Sequence, residues 1–157
     1  MQAKNTATAE GILEAAVQLQ TAIRDSRDEI EQGRRLPMHL VEKMKEAGIF
    51  GMAMPREWGG PELDPISQLR VIETLTVADA SVGWCAMINC MGAYSTSFLD
   101  QKVGRAMYPD LNMPTAASLT LMGRAVRVNG GYRVSGRWQF GRLPAQRMDT
   151  SGMRRSR

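Results

Sequence analysis

The sequence holds few of the residues that build metal and redox centres. It contains one histidine, His39, and two cysteines, Cys85 and Cys90. One histidine cannot complete a zinc site, and the cysteines form no CxxC pair, so we predict no metal site and no redox site. We interpret the cysteines as small buried apolar residues of a protein in a reducing compartment, and His39 as a half-exposed surface residue.

The sequence also lacks a long apolar run. No stretch reaches the roughly 18 apolar residues that a membrane-spanning helix needs, and the polar opening MQAKNTATAEG has no apolar signal-peptide core. We therefore predict a cytoplasmic protein without a membrane segment.

A basic surface is missing from most of the chain. The segment 142–157 holds five arginines and one acid, Asp149, so it accounts for the whole net charge of +4 and leaves residues 1–141 neutral. A protein that tracks nucleic-acid phosphates carries its bases on a folded face. We therefore predict no nucleic-acid partner.

The first part of the chain shows the apolar spacing of helices. Apolar residues at three- to four-residue steps predict an amphipathic helix over about residues 8–32, with a gap in the stripe at Ser26 and Arg27. A second helix is predicted from Pro37, which fits a first turn, to a stop at Gly48.

Glycines and prolines interrupt residues 49–60, so this stretch is predicted to be an ordered loop around Trp58. Asp64 and Pro65 then form the cap and first turn of a third helix. Its apolar stripe is Ile66, Leu69, Ile72 and Leu75.

Two more helices are predicted before residue 109. Ser81 is expected to cap the first, whose residues from Val82 to Phe98 are almost all apolar, as in a helix at the centre of a bundle. Asp100 opens the second, a short helix. Its inward residues are predicted to be Val103 and Met107.

Beyond Pro114 the apolar period falls to two. Strands around Val126 and Tyr132 flank the dipeptide Asn129-Gly130, which favours a tight primed turn, so we predict a β-hairpin. A further strand is predicted over 137–140. Helices followed by the opening strands of a sheet indicate an α+β fold: an amino-terminal helical bundle, then the first strands of an incomplete β-barrel or sandwich domain.

Three segments in this order resemble the acyl-CoA dehydrogenase superfamily: LPMHLVEKMKEAGIFGMAMPREWGG, ETLTVADASVGW and GRAVRVNGGYRVSGRWQF. They cover roughly residues 34–141. Three features are more similar to the two-component flavin-dependent monooxygenases that hydroxylate aromatic or steroid-derived rings. They are the segment GYRVSGRW, the pair Gly83-Trp84, and the stretch AASLTLMGRA at the place where dehydrogenases carry Thr-Glu-Pro.

The resemblance implies a helical domain over 1–112, part of the middle β-domain over 113–141, and an arginine-rich tail over 142–157. It also implies a flavin, FAD or FMN, an acyl-CoA or an aromatic or steroid substrate, a flavin reductase as a possible partner, and a homotetramer in the family. The oxidoreductase would be a flavoprotein.

Site residues follow from the resemblance by position. Ser118 and Thr120 match the flavin-side loop, and Trp138 and Phe140 match the strand that packs beside the flavin ring. Trp84 would line the substrate pocket. The alternative is that the three aromatic residues belong to an ordinary buried core.

The sequence departs from the family after residue 141. The family places a small residue and then a Ser or Thr near the flavin, whereas here Gly141 is followed by Arg142. The remaining tail has no strand alternation, which is typical of a disordered segment or of translation out of frame.

The family's carboxyl-terminal helical domain, which carries the catalytic groups, has no counterpart in this sequence. No catalytic residue is therefore predicted, because Glu73 and Asp79 look like ordinary solvated helix charges. We expect a truncated amino-terminal fragment of an acyl-CoA dehydrogenase-like flavin-dependent oxidoreductase, inactive alone and with weak or absent flavin binding. The alternatives are a fragment of an aromatic or steroid-ring hydroxylase and a non-enzymatic helical interaction protein.

Overall fold

The computed structural model describes residues 8–115 and 123–136, which form an α+β fold as predicted. The helices are α1 Ala9–Asp25, α2 Arg27–Gly33, α3 Met38–Glu46, α4 Pro65–Ala78, α5 Ala80–Thr96 and α6 Gln101–Met107. The strands β1 Gly123–Val128 and β2 Gly131–Gly136 pair antiparallel. The predicted strand over 137–140 and the tail over 142–157 lie outside the described residues.

The helices pack around a single apolar core. Helix α1 lies against α4 and α4 lies against α5, while α3 contacts α1. In the described ranges, no helix combines the length and the apolar character needed to cross a bilayer.

The single helix predicted over residues 8–32 is wrong, because the structure has two helices there. Ser26 lies between α1 and α2, and its hydroxyl donates to the carbonyl oxygen of Ala22 at 2.8 Å. A serine that bonds back to the preceding turn competes with the helical ladder and bends or ends a helix. The gap in the apolar stripe at Ser26 marked this break.

The loop over residues 49–60 is ordered, as predicted, and lies inside the core. Ile49, Phe50, Met52 and Met54 are almost completely buried. Its backbone is paired with the following segment, since the Leu63 amide donates to the Met52 carbonyl oxygen at 2.9 Å. A short 3₁₀ turn, Arg56–Trp58, places the Trp58 indole in the core.

Helix α4 begins as predicted, but it buries a different face. Both Ile66 and Leu69 are about three-fifths exposed, at 60% and 59%, so the predicted stripe is wrong at its first two positions. Gln68 is buried in their place. Its amide donates to the Leu63 carbonyl oxygen at 2.6 Å and accepts from the Tyr94 hydroxyl at 3.0 Å. A buried amide whose partners are all in place costs little, so the polar residue can lie inside.

The cap of α5 lies two residues earlier than predicted. Asp79, rather than Ser81, is the capping residue, and its Oδ1 accepts from the Ser81 amide at 2.8 Å. The Ser81 hydroxyl donates to the same carboxylate oxygen. The caps predicted at Asp64 and Asp100 are confirmed, each accepting two backbone amides.

Helix α6 turns a glycine, rather than its large apolar residues, toward the core. Gly104 is buried against the ring of Trp58, and the Arg105 guanidinium donates to the Trp58 carbonyl oxygen. Both Val103 and Met107 are exposed, so their predicted inward direction is wrong. The indole needs close approach of the helix backbone, and only the glycine face permits it.

The hairpin forms in the predicted register, with Val128 opposite Gly131. Its turn differs from the predicted primed type. Gly130 has φ of 80°, but among the described non-glycine residues only Arg34 and Glu62 have positive φ, so Asn129 does not. A type I′ turn requires positive φ at both central residues. Both strands are largely exposed within the described chain.

An ion pair fastens the segment after α6 to the end of α3. The Nζ of Lys45 lies 2.8 Å from Oδ2 of Asp110. This hydrogen bond to Lys45 is the main reason why the pKa of Asp110 lies below its ordinary value of 3.8. The same bond raises the pKa of Lys45.

The Gly104→Ala substitution should destabilise the protein by about 1–3 kcal/mol, because the added methyl group overlaps the Trp58 ring and the core must shift. Denaturant unfolding followed by circular dichroism measures the change. Gly33→Ala is the matched control, since its methyl group would meet only Arg35 Cγ at 3.7 Å. Equal unfolding free energies for the two variants would contradict the packing of α6 on Trp58.

The Asp110→Asn substitution should reduce the free energy of unfolding at neutral pH by about 0.5–1 kcal/mol, as expected for a partly exposed ion pair. A carboxylate with a lowered pKa in the folded state stabilises the fold above its ordinary pKa and loses this effect as the pH falls. The difference between wild type and variant should therefore be complete well above pH 3.8 and should shrink as the pH falls below 3.8 and through the lowered pKa of Asp110 in the folded state. Urea titrations at several pH values would test this, and a difference that persists in acid would contradict it.

Candidate functional site

Helix α5 is apolar on both sides, but the described chain covers only one of them. The buried side includes Val82, Ala86 and Ala93. The other side carries large apolar residues at three- to four-residue spacing, which places them on one face. This open face of α5 consists of Trp84, Met87, Ile88, Met91, Tyr94 and, just beyond the helix, Phe98.

The prediction that α5 lies at the centre of a bundle is therefore correct for only half of the helix. Phe98 is 91% exposed and Trp84 is 55% exposed. A continuous apolar face of this kind usually marks a surface that another chain segment or a ligand covers. It carries no charged side chain.

Trp84 is the one predicted site residue that the structure describes. It is more than half exposed within the described residues and lies on the open face of α5. Its role in a substrate pocket stays a prediction. Ser118, Thr120, Trp138 and Phe140 lie outside the described residues.

A buried asparagine lies on the other side of the same helix. Asn89 is 0% exposed, and its side-chain amide nitrogen donates to the Phe50 carbonyl oxygen. Its Oδ1 accepts from the Thr115 amide at 2.7 Å and from the Thr115 hydroxyl at 3.1 Å. The Asn89 side chain thus joins α5 to the buried loop and to Thr115.

A second asparagine fastens the same loop from another direction. The Oδ1 of Asn112 accepts from the Gly51 amide at 2.8 Å, and its Nδ2 donates to the Lys45 carbonyl oxygen. Asn89 therefore bonds to the carbonyl oxygen of Phe50, and Asn112 bonds to the amide of the next residue, Gly51. Together they fix the segment after α6 against the core.

Sequence reasoning missed both asparagines. For Asn89 the available signal was its position as an amide residue within an almost wholly apolar helix, since buried polar side chains in proteins nearly always have hydrogen-bond partners. The identity of those partners could not be read from the sequence, because Asn89 and Thr115 are far apart along the chain.

Among the described residues of this region, no two titratable groups form an acid-base pair. Burial raises the pKa of the Cys90 thiol to about 12, so it stays protonated at neutral pH. Burial also raises the pKa of Tyr108. Glu73 is exposed and Asp79 is occupied as a helix cap. Among the described residues, no group of three or more His, Cys, Asp or Glu side chains is placed to hold a metal.

A shallow cleft of about 250 Å³ lies beside the buried loop. Gly48, Gly51, Gly59 and Gly60 form most of its lining, and no charged side chain contributes to it. The cleft therefore offers no catalytic group, and the open face of α5 is the better candidate for a functional surface.

Comparison with known proteins identifies the helical part of the chain. A family model described as the acyl-CoA dehydrogenase N-terminal domain matches residues 7–101. The oxygenase subunit HsaA of a flavin-dependent monooxygenase from Mycobacterium tuberculosis (strain H37Rv) is 30% identical over 133 residues, which are 84% of this chain and 34% of that protein. Indole-3-acetate monooxygenase from Acinetobacter baumannii is 31% identical over 101 residues, 64% of this chain and 26% of that protein.

The fold agrees with these matches. The crystal structure of the HsaA monooxygenase from M. tuberculosis superposes with a TM-score of 0.78 at 30% identity, covering 83% of this chain and 35% of that one. The chain thus spans about a third of the length of the relatives it matches. With more than half of its residues matched by the family model, the chain belongs to the acyl-CoA dehydrogenase family, through its N-terminal domain, and its relatives include flavin-dependent monooxygenases.

Proposed function

We propose that this chain supplies one wall of the active site in the oxygenase component of a two-component flavin-dependent monooxygenase that hydroxylates an aromatic or steroid-derived ring. The observation that carries this proposal is the open face of α5. It is broad, apolar and uncharged, and it contains three aromatic side chains, Trp84, Tyr94 and Phe98. Such a surface suits a flat, largely apolar substrate better than a highly charged one.

The names of the relatives favour hydroxylation over dehydrogenation. They are named as flavin-dependent monooxygenases and an indole-3-acetate monooxygenase. A reduced flavin, FAD or FMN, would supply the activation of oxygen. The described residues contribute by excluding water from the ring and orienting it, which strengthens any polar interaction made at the reacting centre.

The flavin contacts come from the resemblance. Ser118 and Thr120 would approach the polar edge of the flavin, and Trp138 and Phe140 would pack beside its ring. The uncharged wall on α5 fits this arrangement, because a buried flavin and an aromatic substrate both need apolar surroundings. We place the boundary between the helical domain and the middle β-domain near residue 112.

A separate reductase is proposed as the partner that delivers reduced flavin, since the HsaA relative is named an oxygenase subunit. A homotetramer is proposed on the family resemblance alone, and a cytoplasmic location on the lack of an apolar run long enough to span a membrane. The competing proposals are a dehydrogenase acting on acyl-CoA and a helical interaction protein without catalytic activity.

The protein expressed from its complete gene should hydroxylate an aromatic probe such as indole-3-acetate when oxygen, a flavin reductase, NADH and FAD or FMN are present. Product formation measured by chromatography with mass detection should depend on the reductase. A CoA thioester should not bleach the absorbance of added oxidised flavin. Bleaching by the thioester would favour a dehydrogenase, and failure to bind flavin in either redox state would favour an interaction protein.

The Trp84→Ala substitution should raise the KM for the aromatic substrate about tenfold, because half an indole ring of apolar contact is lost. The melting temperature should stay nearly constant, since Trp84 is exposed in the described chain. Leu69→Ala is the matched control, a similarly exposed apolar residue on α4. Steady-state kinetics and thermal melts distinguish the two, and an unchanged KM would remove Trp84 from the pocket.

A further inference from the structure

We propose that Asn89 is a positioning residue that sets where the chain enters the flavin-side loop. The proposal rests on the flavin-dependent function above. Asn89 would not touch flavin or substrate. It would act through Thr115, which it holds against α5 immediately before the segment that contains Ser118 and Thr120.

The hydrogen bonds of Asn89 use both the oxygen and the nitrogen of its side-chain amide. Its carbonyl oxygen accepts both donors of Thr115, and its amide nitrogen donates to Phe50. The side chain is fully buried in a helix that is otherwise apolar. A buried amide pays a large desolvation cost if any partner is lost, so the arrangement permits only one position for Thr115.

A glycine next to Asn89 shapes the place where Thr115 lies. Gly92 is three residues further along α5, on the same buried side. A Cβ atom at Gly92 would lie 2.7 Å from the Thr115 hydroxyl oxygen, closer than ordinary contact. Asn89 therefore attracts Thr115, and Gly92 provides the space that lets it approach the helix.

The position of Thr115 limits the positions available to Ser118. Ser118 follows Thr115 by three residues, and three residues of extended chain span at most about 10 Å. The same helix carries Trp84 and Ile88 on its open face. Helix α5 thus carries both the proposed substrate wall and, through Asn89, the anchor of the segment that leads to the proposed flavin loop.

Asn112 provides a matched control for Asn89. Like Asn89, it holds the buried loop with an amide side chain, but it bonds to Gly51 and Lys45 and not to Thr115. Loss of Asn112 should weaken the fold in a similar way. It should leave the hydrogen bonds of Thr115 in place.

The test compares Asn89→Ala, Gly92→Ala and Asn112→Ala in the protein expressed from its complete gene. The dissociation constant for reduced FAD or FMN, measured anaerobically by fluorescence, should rise about tenfold in the first two variants. It should change by less than about twofold in Asn112→Ala. Gly92→Ala leaves the Asn89 side chain intact and adds a good helix former, so weaker flavin binding in that variant reports the displacement of Thr115 and not a lower helix propensity.

Rescue and exchange measurements complete the test. Thr115→Ser keeps both donors to Asn89 and should bind flavin like the wild type, whereas Thr115→Val loses one donor and should bind it more weakly. Deuterium exchange of the Thr115 amide should be faster than in wild type in Asn89→Ala. This acceleration relative to wild type should be about ten times larger than that in Asn112→Ala.

The outcomes separate the two proposals. Equal effects of Asn89→Ala and Asn112→Ala on flavin binding, or no effect of Asn89→Ala, would overturn the positioning role. If the wild type binds no reduced flavin, the proposed function fails. In that case, faster exchange of the Thr115 amide in Asn89→Ala alone still supports the positioning of this segment, and unchanged exchange overturns it.

Discussion

The structure depends on the burial of helix α5, which is apolar on both sides and is covered by the described chain on only one of them. The described chain covers the side that includes Val82, Ala86 and Ala93, and leaves the side with Trp84 and Phe98 open. Burial of apolar surface is the main force that holds a fold together, and an uncovered apolar face is a cost unless something binds it. The covered side explains why α4 and the buried loop pack where they do. The open side explains why this helix is the proposed wall of a binding site.

Buried amide side chains give this apolar core its specific geometry. Apolar contacts alone tolerate small shifts, whereas a buried amide needs its partners at fixed positions. Gln68 joins α4 to Leu63 and Tyr94, and Asn89 joins α5 to the buried loop and to Thr115. These long-range hydrogen bonds determine how the loop and the chain after α6 meet the helices. They also connect the fold to the proposed site, because the segment that they hold leads toward the proposed flavin loop.

The chemistry of the described residues agrees with a role in binding and orienting rather than in proton transfer. The Cys90 thiol is held protonated by burial, and the capping carboxylates Asp64, Asp79 and Asp100 are occupied by backbone amides. Residues 1–141 carry equal numbers of acidic and basic side chains. The family model that matches residues 7–101 is that of an N-terminal domain, and the chain spans about a third of the length of the relatives it matches.

The sequence by itself determined the features that depend on a few neighbouring residues. These are the α+β order of elements, the caps at Asp64 and Asp100, the hairpin register, and the family, from three short segments. Only the tertiary structure decided which side of α4 and of α6 lies inside and which groups bond to Asn89. Each of these depends on groups distant in the chain: Gln68 lies inside because Leu63 and Tyr94 satisfy its amide, and Gly104 faces inward because the Trp58 ring occupies that space. Periodicity records which residues are apolar, but the inward direction is chosen by contacts that form only when the chain has folded.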